Sequence, residues 1–159
     1  MKESSTKENH TQLAASINGR TWQLIEQKEL SLEEKDELIH AAHASAFHWC
    51  KVGTVLEKLR AEWLISRAYS RLENGESTLR HAKRCLEFTE GNLDVVKDFD
   101  IAYAYEGVAR GYALLGDTKN ASVHYKQAIE QSKKIVDKGD LKIFSGDFNG
   151  GNWNGFKFE

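Results

Sequence analysis

The sequence predicts an all-α protein of about three antiparallel helix pairs, followed by a non-helical tail. Apolar residues recur at helical spacing as far as about residue 137, and no segment alternates apolar and polar residues as a strand would. The 159-residue chain contains no proline, so the breaks between its helices are marked by glycine, asparagine and aspartate. Residues 66–72 also resemble residues 109–115, which indicates a duplicated helix pair.

Six helices are predicted, most of them bounded by a local signal. They are a first helix within residues 11–28, a second from Ser31 to about Cys50, a third after the break at Gly53-Thr54 to about Leu72, a fourth after residues 73–77 to about Glu90, a fifth over about 97–115 and a sixth over about 118–137. Ser31 and Glu34 form a capping box before the second helix. Gly53, Asn74-Gly75 and Gly116-Asp117 separate the later helices. Because the Gly116-Asp117 turn is so short, the fifth and sixth helices must lie antiparallel and in contact.

The two ends of the chain carry weaker helical signals. Residues 1–10 are polar and are expected to be disordered, and Asn18-Gly19 is a point at which the first helix can be interrupted. Residues 138–159 are rich in glycine, asparagine and aromatic residues, and are expected not to be helical. Burial of an aromatic side chain stabilises a fold by about 1.5–3 kcal/mol relative to leaving it in water. Part of this tail is therefore expected to dock on the helical domain of residues 11–137.

Gly111 lies inside the fifth predicted helix, where glycine costs about 1 kcal/mol relative to alanine. A close approach of another backbone would offset this cost. When the two similar segments are aligned, Ala68 matches Gly111 and Tyr69 matches Tyr112. Both small residues are therefore predicted at contacts between successive helix pairs.

Residues 102–133 resemble one tetratricopeptide repeat. The resemblance is carried by Tyr105, Val108, Ala109, Gly111, Tyr112, the Gly116-Asp117 turn, Ala121, Tyr125 and Ala128. It implies a right-handed superhelix of stacked helix pairs that acts as a protein-interaction module, in which the first helix of each pair lines a concave groove. The earlier copy departs from the family, because Glu62 stands at the large aromatic position and Tyr69 and Tyr112 are 43 residues apart, rather than the usual spacing of about 34.

The resemblance places seven residues in this groove. They are Arg60, Trp63, Arg67 and Arg71 of the third helix, and Tyr103, Glu106 and Arg110 of the fifth. Clustered guanidinium groups fit carboxylates and phosphates, so we expect an acidic peptide or another anionic partner. Alternatively, the arginines form a solvated stripe that pairs with glutamates and contributes little energy. The aromatic tail could also fill the groove, as a permanent cap or as a displaceable inhibitor, or dock on a second copy to make a homodimer.

A second candidate site consists of histidine and cysteine residues. Its members are His40, His43, His81 and Cys85, and their i, i+3 and i, i+4 spacings can place two ligands on one helical face. The alternative function is therefore a small-molecule or metal-binding sensor or an enzyme. Enzymatic motifs such as a phosphate-binding loop, a nucleophile elbow or HExxH do not occur, so we expect a binding protein with no catalytic residue, metal or cofactor.

Composition narrows the choice of partner and compartment. The net charge of −2 gives no excess of positive charge for nucleic acid, and no apolar run approaches the ~20 residues of a membrane span. The two cysteines are far apart and the N-terminus lacks the apolar core of a signal peptide. The sequence therefore predicts a cytoplasmic protein that binds neither nucleic acid nor membrane.

Overall fold

Helices account for all the regular structure in residues 2–159, the part of the chain that the computed structural model describes. They are α1 (Lys2–Glu26), α2 (Leu32–Val52), α3 (Val55–Arg71), α4 (Gly75–Glu90), α5 (Asp98–Leu114), α6 (Thr118–Ser132) and α7 (Lys138–Asn149). Helices α1 to α5 each pack on the next one along the chain, which confirms the prediction of an all-α protein of neighbouring helix pairs. None of these helices is long and apolar enough to cross a membrane.

Side-chain caps begin the helices where the sequence predicts them. The Ser31 hydroxyl accepts a hydrogen bond from the Glu34 amide at 3.2 Å, and the Glu34 carboxylate accepts one from the Ser31 amide at 2.8 Å. This confirms the predicted capping box. Asn74 and Asp117 cap α4 and α6 in the same way, since each accepts a hydrogen bond at 3.0 Å from the backbone amide three residues later.

The odd-numbered helices contact one another in addition to their sequence neighbours. Helix α3 packs against α1 on one side and α5 on the other, and α5 also packs against α7. The buried side chains form three clusters along this row, around Ile65, around Trp63 and around Phe144. The row α1–α3–α5–α7 thus brings together side chains that are distant in the sequence.

Gly111 lies where another backbone approaches closely, as predicted. A β-carbon at this position would lie 2.7 Å from the Cα of Leu79 and 2.9 Å from its backbone nitrogen, both on α4. Ala68 is fully buried in a cluster that includes Leu24 of α1 and Leu38 of α2. Both small residues therefore lie at contacts with the preceding helix pair.

The N-terminal region differs from the prediction of disorder over residues 1–10. Residues 2–10 form the first turns of α1, and residue 1 lies outside the described part of the chain. The helix also continues through Asn18-Gly19. Packing on α2 explains this extension: the His10 and His48 rings are joined by a hydrogen bond of 2.7 Å, and Ala14 is fully buried.

The prediction of a non-helical tail is wrong for residues 138–149, which form α7. Asp137 caps this helix by accepting a hydrogen bond from the Asp140 amide at 2.8 Å. Phe144 and Phe148 are only 2% and 8% exposed, because their i, i+4 spacing directs both rings at the helical core. Their burial offsets the low helix propensity of Gly139 and Gly146. We call residues 138–159 the C-terminal segment.

Candidate functional site

Five of the seven predicted groove residues form one connected cluster between α3 and α5. They are Trp63, Arg67, Tyr103, Glu106 and Arg110. The cluster forms because α3 and α5 pack side by side, so that residues spaced by about one turn on each helix face the other. The groove prediction thus identified residues that lie together in the fold.

Glu106 is the centre of this cluster. Its carboxylate accepts hydrogen bonds from the Trp63 indole at 2.9 Å, from Arg110 Nε at 2.6 Å and from Arg67 at 3.4 Å. Glu106 and Arg110 are both 1% exposed, and Arg67 is 7% exposed. Burial lowers the pKa of Arg110 to about 10, although the neighbouring Glu106 acts to raise it, so this guanidinium is still charged at neutral pH. One carboxylate therefore faces two buried cations.

The C-terminal segment accepts further hydrogen bonds from the two arginines. Arg67 and Arg110 each donate to the carbonyl oxygen of Asp147 at 3.1 Å, and Arg110 also donates to the carbonyls of Gly150 and Asn152 at 3.0 and 3.1 Å. The Arg110 guanidinium lies 4.1 Å from the centre of the Trp153 ring. The surface of the cluster around Arg67 and Arg110 is therefore covered by a segment of the same chain.

Aromatic contacts fix the C-terminal segment along α5 and α6. The ring centres of Phe144 and Tyr103 are 4.9 Å apart. The ring centre of Tyr125 lies 4.6 Å from that of Phe148 and 5.3 Å from that of Trp153. The Tyr103 hydroxyl donates a hydrogen bond of 2.7 Å to the Asp147 carboxylate. Burial and this carboxylate raise the pKa of Tyr103, so its hydroxyl is a neutral donor.

Two predicted groove residues lie outside the cluster around Glu106. Arg60 forms a two-pronged pair with Asp100 at 2.8 and 3.0 Å. Arg71 donates to the backbone carbonyls of Gln27 and Lys28 at 3.0 and 3.2 Å, and these neutral partners leave its positive charge unbalanced. The guanidinium groups are thus held by three different sets of partners, whereas the sequence suggested one basic wall.

Asp147 and the glycines after it are the site residues that the sequence reasoning did not identify. A signal was present in Gly150-Gly151, because adjacent glycines allow a backbone to come close to other groups. Gly151 has a φ of +73°, and a β-carbon there would lie 2.6 Å from an Arg67 nitrogen and 2.9 Å from an Arg110 nitrogen. The glycine lets the segment pass directly over both guanidinium groups.

Replacement of Gly151 by alanine is expected to loosen the C-terminal segment, because the new methyl group would displace Arg67 or Arg110. Gly155→Ala is the matched control: its φ is +71°, but a β-carbon there would have nothing within 4 Å. Both variants carry the backbone strain of about 1 kcal/mol or more, and only Gly151→Ala adds a clash. Hydrogen exchange should show faster exchange of the amides of α7 in Gly151→Ala alone. Equal exchange in the two variants would contradict the close contact.

His43 and His81 of the alternative site lie side by side, with ring centres 5.4 Å apart, but each has a hydrogen-bond partner of its own. His81 contacts the Glu62 carboxylate through Nδ1 at 2.7 Å, and His43 contacts the Tyr69 hydroxyl at 3.2 Å. Burial and the neighbouring His81 lower the pKa of His43, which favours its neutral form. Cys85 is buried in the cluster around Trp63.

Across residues 2–159, no group of three or more histidine, cysteine, aspartate or glutamate side chains is placed to hold a metal ion. His40 is exposed, and burial raises the pKa of the Cys85 thiol to about 12, which disfavours the thiolate that binds zinc. The proposal of a metal site formed by these residues is therefore not supported by their arrangement.

Comparison of the chain with models of known protein families, with curated proteins and with solved structures gives no significant match. The cluster around Glu106 and the segment that it holds are the features of this chain that indicate a function.

Proposed function

We propose that this chain is a helical repeat protein of the tetratricopeptide type that acts as an interaction module for a protein or peptide. The motif of residues 102–133, the packing of successive helix pairs and the contact at Gly111 support the proposal. In it, the helix pairs follow a right-handed superhelix, and the row α1–α3–α5–α7 lines the concave side. The role is binding rather than catalysis, in the cytoplasm.

The observation that carries this proposal is that the groove already holds a peptide segment. Arg67 and Arg110 donate to main-chain carbonyls, Tyr103 donates to a carboxylate, and Tyr125 packs against aromatic rings. These are the contacts by which a protein would recognise a peptide from another chain, since carbonyl groups occur in every peptide and the side-chain contacts add specificity.

The proposed partner is an acidic peptide with aromatic residues, similar in chemistry to residues 144–153. Such a peptide would replace the C-terminal segment, which in this proposal acts as a displaceable inhibitor. Arg71 lines a cleft of about 170 Å³ together with Arg67, Glu26 and Asp147, so this cleft carries charges of both signs. The net charge of −2 makes nucleic acid a poor partner.

A peptide of residues 138–159 provides the test. Its binding to full-length protein is measured by fluorescence anisotropy, for the wild type and for the double variant Phe148→Ala/Trp153→Ala. We expect the double variant to bind at least about tenfold more tightly, because the wild-type segment competes at the high effective concentration of a tethered ligand. Melting curves establish that the variant is folded.

The matched control changes two exposed lysines of the same segment, Lys142→Ala and Lys157→Ala, and should leave peptide binding at the wild-type level. A peptide that carries Asp147→Lys should bind the double variant much more weakly. Equal affinity of the wild type and the folded Phe148→Ala/Trp153→Ala variant for the unaltered peptide would overturn the proposal of a displaceable segment.

A further inference from the structure

A cavity of about 320 Å³ lies beside α3, between α1 and the C-terminal segment. Its size is that of a site for a small organic molecule. Most of its wall is apolar or aromatic, and the residues that form this part include Trp22, Leu59, Trp63, Phe99, Tyr103 and Ile143. The ring centres of Trp22 and Trp63 are 5.8 Å apart, and those of Trp63 and Tyr103 are 4.7 Å apart. The cavity thus presents several aromatic surfaces to one ligand.

Two of the charged groups at the cavity neutralise each other. Arg60 holds both carboxylate oxygens of Asp100, and the Lys97 amide donates a further hydrogen bond to Asp100. Cys85, which also lines the cavity, is a neutral thiol because burial raises its pKa to about 12. These groups give the cavity polarity without net charge.

Asp147 is the exception, because its carboxylate forms no direct ion pair, although it interacts electrostatically with the buried Arg110 guanidinium. One oxygen accepts the Tyr103 hydroxyl at 2.7 Å, while Arg67 and Arg110 bind the main-chain carbonyl of the same residue. Among the ion pairs formed within residues 2–159, none includes Asp147. The cavity wall therefore carries one negative charge next to aromatic faces.

We propose that this cavity binds a small aromatic amine, with its ring against Trp22 and Trp63 and its protonated amino group at Asp147. Aromatic faces attract an organic cation, and the carboxylate supplies its ion-pair partner. A carboxylate ligand would be repelled by the charge of Asp147, and a neutral ring would leave this carboxylate without a direct ion-pair partner. This site goes beyond the proposed peptide binding and does not depend on it, since Ile143 and Asp147 line the cavity while the C-terminal segment is docked.

Three ligands with the same ring and different charge test the proposal. Tryptamine, indole and indole-3-acetate are each titrated into the full-length protein by calorimetry at pH 7. We expect tryptamine to bind at least about tenfold more tightly than indole, and indole-3-acetate to bind most weakly, with a tenfold ratio equal to about 1.4 kcal/mol. Tighter binding of the acid, equal binding of all three, or no binding of tryptamine at millimolar concentration would overturn the assignment.

Two variants and a control locate the site. Asp147→Asn keeps an oxygen that can accept the Tyr103 hydroxyl but removes the charge, so tryptamine should lose its advantage over indole. Trp22→Leu removes one aromatic face and should weaken the binding of all three ligands. Asp94→Asn, at an exposed position outside the cavity, should change nothing. With melting curves that show each variant folded, an unchanged preference for tryptamine in Asp147→Asn would refute the role of Asp147. The peptide assay measures displacement of the C-terminal segment and contains no amine. The proposal of peptide binding and the proposal of amine binding can therefore fail independently.

Discussion

Replacement of Glu106 by alanine is expected to lower the free energy of unfolding by about 3–5 kcal/mol, since it leaves buried charges without their partner. Arg67 and Arg110, 7% and 1% exposed, would face each other across the vacated space, and the Trp63 indole N–H would lose its acceptor. Urea denaturation at neutral pH measures the change directly.

Glu37→Ala is the control for this experiment. Glu37 also forms a two-pronged pair, at 2.7 and 2.8 Å with Arg20, but the two side chains are 44% and 42% exposed. An exposed pair contributes only about 0–1 kcal/mol. Similar losses in the two variants would show that Glu106 is not the buried centre of the site.

Replacement of Gly111 by alanine is expected to lower the free energy of unfolding by about 2–3 kcal/mol, because the added methyl group would overlap the backbone of Leu79. Helix propensity alone predicts the opposite sign, a gain of about 1 kcal/mol. The sign of the change therefore distinguishes a close helix contact from an ordinary helix interior.

Gly19→Ala provides the matched comparison for Gly111→Ala. Gly19 also lies inside a helix, but a β-carbon there would have nothing within 4 Å. We expect this variant to be stabilised by about 0.5–1 kcal/mol. Chemical denaturation of both variants completes the test, and stabilisation by Gly111→Ala would contradict the packing of α5 on α4.

The helices between Ser31 and Ser132 could be predicted because their signals are local. Ser31 and Glu34 lie within four residues of each other, and the Asn74 cap and the Gly116-Asp117 turn are equally short-range. Gly111 was informative for a different reason: an unfavourable residue inside a helix requires compensation from tertiary contact.

Helix α7 could not be predicted from composition, because its stability depends on burial against distant helices. Glycine and asparagine indicated a loop, whereas the i, i+4 spacing of Phe144 and Phe148 and the Asp137 cap were the opposing signals. The helix forms because Phe144 contacts Tyr103 and Phe148 contacts Tyr125, and both tyrosines are distant in the sequence.

Five of the seven residues assigned to a groove lie together in the fold, but the partners of the arginines could not be predicted. The resemblance to the tetratricopeptide repeat assigned Arg67 and Arg110 to one groove, yet their partners are Glu106 and carbonyl oxygens as far as 80 residues away. Counting charges in a sequence gives no information about such long-range hydrogen bonds. Asp100 and Glu106 thus balance part of the positive charge of the four arginines within the folded chain, whereas the charge of Arg71 stays unbalanced.

Nuclear Overhauser spectroscopy of the full-length protein tests most directly whether the C-terminal segment fills the groove. With centre-to-centre ring distances of 4.9 Å for Tyr103 and Phe144 and 5.3 Å for Tyr125 and Trp153, we expect cross-peaks between the ring protons of both pairs. A folded protein that gives neither cross-peak would contradict the docking of this segment on α5 and α6, and with it the peptide-binding role inferred from that contact.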